Sequence, residues 1–443
     1  MRLSKFNIMA HDLPGKGSSA LYNTLTQGMV ILEDRIVKGL ERGETAGLSP
    51  EDIKSLEDSG VLVPDGVDED RLFDLFYNQI RFANRTLDIT LLTTMNCNFA
   101  CSYCYEGELT HGRKHMSIEM AEDAVAWIKA RAKENSVAKI DLQYHGGEPL
   151  LNLPVIEKVG KELMEFCGKN GIKFRFHIVS NGYLLNRETA KRIKEAGVES
   201  VKVTVDGPEE IHDSQRFLRG GGGTYRTIIN NLLEIRDILG ISIGMNYTKE
   251  TVNRIPELLD ELIEIGLGPG AVKRVGFSPV MPGEGKGKAA AFDSGCILTK
   301  GMYEDFLRVQ EEVVKRGFWK YAEPEINPCP VVMATHFTIN YDGTVYKCPA
   351  VVDRPQYVVG HVQEELGYNA EMYRSLGINT FDNAKCRDCA VLPLCLGGCR
   401  YLSLVTKGNF HGIDCQKEAI EVIALDAIRR MLKEDGSADE DLK

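Results

Sequence analysis

The sequence predicts an α/β protein: a parallel sheet of six β/α steps between a small N-terminal unit and a cysteine-rich C-terminal extension. Three observations predict it. Short apolar runs alternate with helical patterns from about residue 85 to about 280. A hairpin, a helix and a short strand precede them. Seven of the twelve cysteines fall between 329 and 415, where the alternation stops. Repeated β/α steps imply right-handed crossovers, and closure into a partial (β/α)6, TIM-like barrel would put functional groups at the C-terminal strand ends.

The elements follow in order. Residues 22–31 read as a hairpin. Ser49-Pro50-Glu51-Asp52 reads as a helix start, with Ser as N-cap, Pro at the first helical position and acids in the first turn. Ile53 and Leu56 face one way, Gly60 ends the helix, and Val61-Leu62-Val63 follows as a strand. Leu87, Ile89 and Leu91 form the first barrel strand. Ser117 caps a helix whose apolar side is Ile118, Ala121, Val125, Ile128 and Ala132. Ile140 to Tyr144 is a strand, and residues 155–168 are a helix with Cys167 among its apolar positions, a core thiol. Phe174, Phe176 and Ile178 alternate with Arg175 and His177; Val201, Val203 and Val205 alternate likewise. Ile241 to Tyr247 and Val275 to Val280 supply the last two strands. Residues 281–288, Met-Pro-Gly-Glu-Gly-Lys-Gly-Lys, read as a connector and do not match a phosphate-binding loop.

Composition bounds the function. A chain of 443 residues holds two or three domains. No apolar run approaches the ~20 residues of a membrane span, and the first residues lack the apolar core of a secretory signal. Net charge of −11 argues against nucleic-acid binding, which needs clustered Lys and Arg. The expected compartment is the cytoplasm, where a reducing environment keeps thiols free. Clustered cysteines then read as metal ligands, with disulfides the lesser alternative.

The chemistry starts at Cys97, Cys101 and Cys104, just after the first barrel strand. A 4Fe–4S cluster takes one thiolate per iron, so three thiolates leave one iron open. A structural zinc site would want four ligands and would be closed. The pattern Cys-x3-Cys-x2-Cys, with Tyr103 before the last Cys, resembles the radical S-adenosylmethionine (SAM) superfamily. The resemblance implies that the open iron chelates the amino and carboxylate groups of SAM. One electron then splits SAM into methionine and a 5′-deoxyadenosyl radical that takes hydrogen from a substrate.

Further motifs match at successive strand ends. His145-Gly146-Gly147-Glu148-Pro149 follows the second barrel strand. Two glycines let backbone approach a ligand closely and a carboxylate pairs with an ammonium, and the family's matching segment binds the SAM amino group. His145 alone reads as a packing or hydrogen-bonding residue. Ser180 and Asn181 end the third strand, where the family places residues near the SAM ribose and carboxylate. Asp206-Gly207-Pro208 ends the fourth, with His212, Asp213 and Arg216 downstream. Arg216 could hold a carboxylate with its fork of N–H donors, and Asp206 could accept from ribose hydroxyls. Asn246 ends the fifth strand as a weaker candidate. Each has an alternative as a turn residue or surface ion pair. No residue stands out as a catalytic acid or base.

The C-terminal thiols form a second pattern. Cys329 is followed by thirteen residues, Gly343, four residues and Cys348; then come Cys386-x2-Cys389-x5-Cys395-x3-Cys399, fifteen residues and Cys415. This spacing resembles the SPASM extension of radical SAM peptide-modifying enzymes, which carries two auxiliary 4Fe–4S clusters. By that resemblance Cys386, Cys389, Cys395 and Cys415 hold the distal cluster, and Cys329, Cys348 and Cys399 the nearer one. The nearer cluster's fourth ligand is either Cys296 or an open position. Zinc held by the same thiols is the alternative. In sulfatase-maturating members the second cysteine of the extension is followed by an Asp proposed as a base. Here Pro349 follows Cys348, which counts against formylglycine formation.

The N-terminal unit resembles, in pattern only, a winged-helix-like peptide-recognition element that holds a leader peptide; a plain cap on the next domain is the alternative. The expected domains are 1–84 for leader recognition, 85–284 for the radical SAM barrel and 285–443 for the SPASM auxiliary-cluster domain. The resemblance implies an anaerobic oxidoreductase with SAM and three 4Fe–4S clusters as cofactors, one binding SAM and two auxiliary. Its partners would be a ribosomal precursor peptide with a leader and a reductant such as flavodoxin or ferredoxin, with no nucleic acid and no membrane. The expected product is a thioether or a carbon–carbon cross-link. Alternatives are sulfatase-type residue oxidation and, from another class, an electron-transfer or zinc-scaffold protein.

Overall fold

The computed structural model describes residues 1–434 except 12, 14–16, 46, 47, 84, 105, 107–111, 113, 281–299, 320–323, 366 and 368. Cys296 and the connector at 281–288 lie outside the described residues. At the N-terminus come β1 (Arg2–Leu3), β2 (Asn7–Ala10), β3 (Ser18–Asn23), β4 (Met29–Glu33), α1 (Asp34–Glu41), α2 (Pro50–Asp58), β5 (Leu62–Val63) and α3 (Glu69–Phe82). Strands β2, β3 and β4 form an antiparallel sheet, and β1 pairs with β5. The expected helix start is a full capping box: Asp52 N–H donates to Ser49 Oγ at 3.1 Å and Ser49 N–H to Asp52 Oδ2 at 2.9 Å. Gly60, at φ 77°, carries the chain out of the helix and into β5.

The barrel follows: β6 (Thr86–Thr94), α4 (Ile118–Glu134), β7 (Lys139–Gly146), α5 (Leu153–Asn170), β8 (Lys173–Ser180), α6 (Arg187–Glu195), β9 (Val198–Thr204), α7 (Glu209–Gln215), α8 (Tyr225–Ile235), β10 (Gly240–Tyr247), α9 (Ile255–Glu264) and β11 (Val272–Pro279). All six strands pair in parallel, in the order β11-β10-β9-β8-β7-β6. Alternate side chains decide the layering. Leu142, Tyr144, Phe176, Ile178, Val201, Val203, Ile241 and Ile243 pack into the main core with the apolar faces of the covering helices. Cys167 is fully buried in that core, as its apolar neighbours predict. The opposite positions of the same strands carry Gln143, His177, Lys202, Ser242 and Arg274, so the concave face is polar.

The extension holds α10 (Lys300–Lys315), β12 (His336–Ile339), β13 (Thr344–Tyr346), β14 (Gly360–His361), α11 (Ala370–Leu376), α12 (Ala384–Arg387), α13 (Leu392–Cys395), α14 (Arg400–Lys407) and α15 (Lys417–Glu434). It is spliced onto the barrel sheet: β12 pairs in parallel with β6, Phe337 opposite Ile89, and β13 and β14 follow as an antiparallel run. The N-terminal unit docks on this extension. Ile8, Ala10, Ala20 and Tyr22 share a core with Leu394, Ala424, Ile428 and Leu432. Phe6, Phe73 and Tyr77 pack with Phe381 and Tyr401. The N-terminal segment therefore closes its apolar faces on the most distant part of the chain, a pairing that no local pattern encodes. Among the described residues no helix is long and apolar enough to cross a membrane.

Candidate functional site

The predicted residues converge at the C-terminal ends of the barrel strands. The loop bearing Cys97, Cys101 and Cys104 leaves β6 and is zipped to the segment after α7. Ala100 N–H donates to Phe217 O at 2.9 Å, Ser102 N–H to Gln215 O at 3.0 Å, and Arg219 N–H to Asn98 O at 2.9 Å. Phe99 and Leu218 form a β-bridge across the same seam. The three thiols thus sit on backbone fixed from both sides. Cys97 Sγ accepts from Phe99 N–H at 3.4 Å and faces Asn181 Nδ2 at 3.9 Å. Burial pushes the Cys97 thiol up to about 12, and nearby Glu148, Cys101 and Cys104 add to it. Three mutually close thiols with N–H groups turned toward sulfur are a donor set that fits a cluster ligated at three corners. Among the described residues no three His, Cys, Asp or Glu side chains converge tightly enough for a single metal ion. A four-iron cube holds its thiolates further apart than one ion does.

Gly146 and Gly147 have a structural reason that the sequence did not disclose. A Cβ on Gly147 would lie 2.6 Å from Met95 O and closer still to Asn96 O; one on Gly146 would collide with Thr94 O. The end of β7 presses directly on the strand that delivers the cysteine loop, with Glu148 N–H donating to Asn96 O at 2.8 Å. Gly146 also needs its φ of 129°.

Glu148 is fully buried. Its Oε1 accepts from Ser180 Oγ at 2.9 Å and Leu150 N–H at 3.1 Å, and its Oε2 from Asn181 N–H at 2.7 Å. Burial nonetheless raises its pKa to about 7; those hydrogen bonds and Arg216 pull the other way. Asn181 bridges onward, its Nδ2 donating to Asn98 Oδ1 at 2.7 Å. Glu148, Ser180, Asn181 and Cys97 therefore form one connected group. Asn98 is a member that the sequence reading passed over, although it stands inside the cysteine motif.

A second group centres on Tyr103. Its hydroxyl donates to Asp206 Oδ2 in a short hydrogen bond and accepts from Arg216 Nη1 at 2.8 Å and Asn246 Nδ2 at 3.2 Å. Asn246 N–H donates to Asp206 Oδ1 at 2.8 Å. Burial raises the Asp206 pKa, while Arg216, Tyr103 and Asn246 oppose it. Arg216 and Asp206 thus face each other through Tyr103. His212 and Asp213 have structural work. His212 lies between Asp206 N–H at 3.3 Å and Thr224 Oγ1 at 3.1 Å, and burial drops its pKa to about 3. Asp213 Oδ1 accepts from Thr224 N–H at 2.7 Å and Tyr225 N–H at 2.8 Å, starting α8. His145 is kept neutral, its pKa lowered to about 4 by burial and by Lys202 and His177.

In the extension the thiols sort into two groups. Burial pushes Cys348 up to about 12, with Cys329 and Cys399 adding to the shift. Burial lifts Cys386 to about 11, with Cys395, Cys415 and Cys389 adding. Cys348 thus lies near Cys329 and Cys399, and Cys386 near Cys389, Cys395 and Cys415. The N-terminal unit touches the second set's loop directly: Lys5 Nζ donates to Arg387 O at 3.0 Å and Thr24 Oγ1 to Ala390 O at 2.5 Å.

The comparisons agree with this geometry. The Radical SAM superfamily profile matches residues 91–262, and the SPASM iron–sulfur cluster-binding domain matches 329–390. A cysteine-type anaerobic sulfatase-maturating enzyme of Clostridium novyi is 24% identical over 332 residues, 69% of this chain and 85% of that protein. The uncharacterised protein MJ0907 of Methanocaldococcus jannaschii is 27% identical over 196 residues, 44% of this chain and 63% of its own length. The crystal structure of Streptococcus suis SuiB superposes with a TM-score of 0.56 at 17% identity, covering 94% of this chain and 99% of SuiB. SuiB has also been solved with S-adenosylmethionine and with its precursor peptide SuiA.

Proposed function

The chain belongs to the radical SAM superfamily and carries a SPASM iron–sulfur domain, and from that premise we propose that it matures a ribosomally made precursor peptide. The observation that carries the reading is the three-thiol loop joined through Asn181 to the buried Glu148 at the barrel rim, with two further thiol groups in the extension. When bound, SAM and its cluster supply a 5′-deoxyadenosyl radical that takes a hydrogen atom from a peptide carbon. Cys97, Cys101 and Cys104 hold the cluster and leave one iron to SAM. Glu148 receives the SAM amino group, with Gly146 and Gly147 setting the approach and Ser180 and Asn181 beside it. Tyr103, Asp206, Arg216 and Asn246 border the ribose and carboxylate. Cys329, Cys348 and Cys399 hold the nearer auxiliary cluster, with Cys296 or an open position as its fourth site. Cys386, Cys389, Cys395 and Cys415 hold the distal one.

The proposed product is a thioether, or else a carbon–carbon link. The peptide carbon would bond to sulfur as the thiol proton leaves, and an auxiliary cluster held by the extension's cysteines would take the surplus electron. Residues 1–84 receive the leader, 85–284 carry the radical chemistry and 285–443 carry the auxiliary clusters. Flavodoxin or ferredoxin supplies the electron. The SuiB–SuiA complex supports a precursor peptide as partner. A second reading, sulfatase-type residue oxidation, is favoured by the Clostridium novyi relative and opposed by Pro349 after Cys348.

Anaerobic reconstitution tests this. The expected result is release of 5′-deoxyadenosine and about twelve irons per chain, three clusters of four. Mass spectrometry of a peptide encoded beside the gene should then show the loss of two hydrogens. SAM left intact under reductant would overturn the reading. Formylglycine in a sulfatase-derived peptide would transfer it to the second.

A further inference from the structure

We propose that the concave face of the barrel sheet carries a carboxylate-binding site, built from Lys202 and Arg274, that seats an acidic group of the substrate. The inference takes its carrier, a peptide, from the function proposed above; the site itself does not depend on that reading.

A cavity of about 580 Å³ lies against the inner positions of β7 to β11. Lys202 on β9 pairs in register with Ser242 on β10, and Ser242 with Arg274 on β11. The two cations therefore stand on one face, two strand spacings or roughly 9.5 Å apart at Cα, with a serine between them. Lys202 precedes Asp206 by four residues, so it sits roughly 13 Å down the strand from the rim.

Charge separates this region from the rest of the interior. The acids that share the concave face are already satisfied. Asp141 receives Lys139 at 2.8 Å, His177 at 3.4 Å and Arg175 in a short ion pair. Burial and Asp141 push the neighbouring Asp88 up to about 6, so it is ionised near neutral pH, but it stands on β6, three strands from Lys202, where Lys139, Arg175 and His177 offset its charge. The side chains of Lys202 and Arg274 make no hydrogen bond or ion pair with any described residue. Arg274 instead raises the cost of the Lys202 charge: burial, and then Arg274, lower the Lys202 pKa. Both side chains are exposed to solvent, and with no carboxylate paired to either they present positive charge to an anion entering the cavity.

Two more features fit an occupant. Trp319 lines the same cavity, and its buried indole N–H has no hydrogen-bond partner among the described residues. Small residues keep the space clear. A Cβ on Gly276 would meet nothing within 4 Å, so its side chain is missing for no reason within the described fold. Gly244 makes room for Lys202, whose Cε would lie 2.8 Å from a Cβ there. Lysine, guanidinium and indole N–H groups are donors alone, which selects an acceptor-only ligand such as a carboxylate.

The test uses the reconstituted full chain carrying Trp127→Phe, which leaves Trp319 as the single indole. The probes are acetyl-Gly-Glu-Gly-amide, its Gln counterpart, and acetyl-Gly-Gly-Gly with a free C-terminus, read by Trp319 emission. We expect saturable quenching by the Glu probe, by the free-C-terminus probe or by both. Which of them responds identifies the carboxylate as a side chain or a chain end. The Gln probe should be silent. Lys202→Gln with Arg274→Gln should weaken binding about tenfold or more, and Lys202→Arg with Arg274→Lys, which keep the charge, should restore it. Equal response to the Glu and Gln probes, or binding indifferent to the double Gln variant, would overturn the proposal. So would displacement of the Glu probe by SAM, which would assign the cations to the SAM carboxylate. None of these readings requires turnover, so an inactive wild-type chain would end the maturase reading and leave this one standing.

Discussion

Cys97, Cys101 and Cys104 lie within eight residues at the end of one strand, whereas the extension draws its seven cysteines from residues 329 to 415. The barrel loop is pinned by backbone hydrogen bonds to residues 215–219, which are themselves anchored by Thr224, just before α8, and by Asp213 on α7. Its geometry is set by backbone that the barrel's own hydrogen bonds hold. Around its four-thiol group the extension is held by scattered contacts, Lys5 Nζ to Arg387 O at 3.0 Å, Thr24 Oγ1 to Ala390 O at 2.5 Å and Asp414 N–H to Gly397 O at 3.1 Å, rather than by a strand-like seam. Helices α12 and α13, which carry Cys386 and Cys395, are four residues each, far too short to persist on their own. The first region has a fold that makes a ligand set; the second has a ligand set that helps make a fold.

That contrast is sharpest in metal removal. Stripping iron with chelator should leave α4 to α9 protected in hydrogen exchange while residues 384–416 lose protection, since metal binding there is folding free energy of ~10 kcal/mol in comparable structural sites. Uniform protection in both regions would erase the distinction. Point substitutions divide the regions next. Cys97→Ala should abolish 5′-deoxyadenosine release with little change in melting temperature. Cys386→Ala should remove about four irons and lower the melting temperature while SAM cleavage persists. A Cys386→Ala chain as stable as the parent would break the comparison.

Gly147→Ala probes the scaffold alone. Its Cβ has nowhere to go except into Met95 O and Asn96 O, so a destabilisation of about 1–3 kcal/mol is expected in denaturant titration, with loss of SAM binding. The smallest effect is in pH. The folded pKa of Glu148 is raised to about 7, so the carboxylate appears only as pH climbs through that value. SAM affinity should rise between pH 6 and 8 by up to about tenfold, and Glu148→Gln should flatten the profile. Stability without SAM runs the other way. The unfolded chain ionises this carboxyl near 4.5, so stability should fall as pH rises from there to about 7, and the Gln variant should lose that slope.

Much of this was legible in sequence because it is local. The alternation of Val201 and Val203, the Ser49 capping box and the two cysteine spacings each depend on residues within a few positions of one another. Gly146 and Gly147 were legible as positions of close approach, but the approach of backbone from residues 94–96 was not, because it arises only when the adjacent strand is in place. Lys202 was visible in principle: it occupies the alternate position of a strand whose other side is valine. The sequence reading followed strand ends and passed over it. The docking of the N-terminal sheet on α15 was not legible at all, since Ile8 and Ile428 share a core only through the tertiary fold.

That last contact has a temporal side. A ribosome releases Ile8, Ala10 and Tyr22 hundreds of residues before Ala424 and Ile428, the groups that shelter them. That segment must wait, greasy and unsheltered, until residues 424–432 have been made. Newly made chains should therefore depend on chaperone protection out of proportion to the finished molecule's robustness, and losing the last helix should harm the beginning of the polypeptide first.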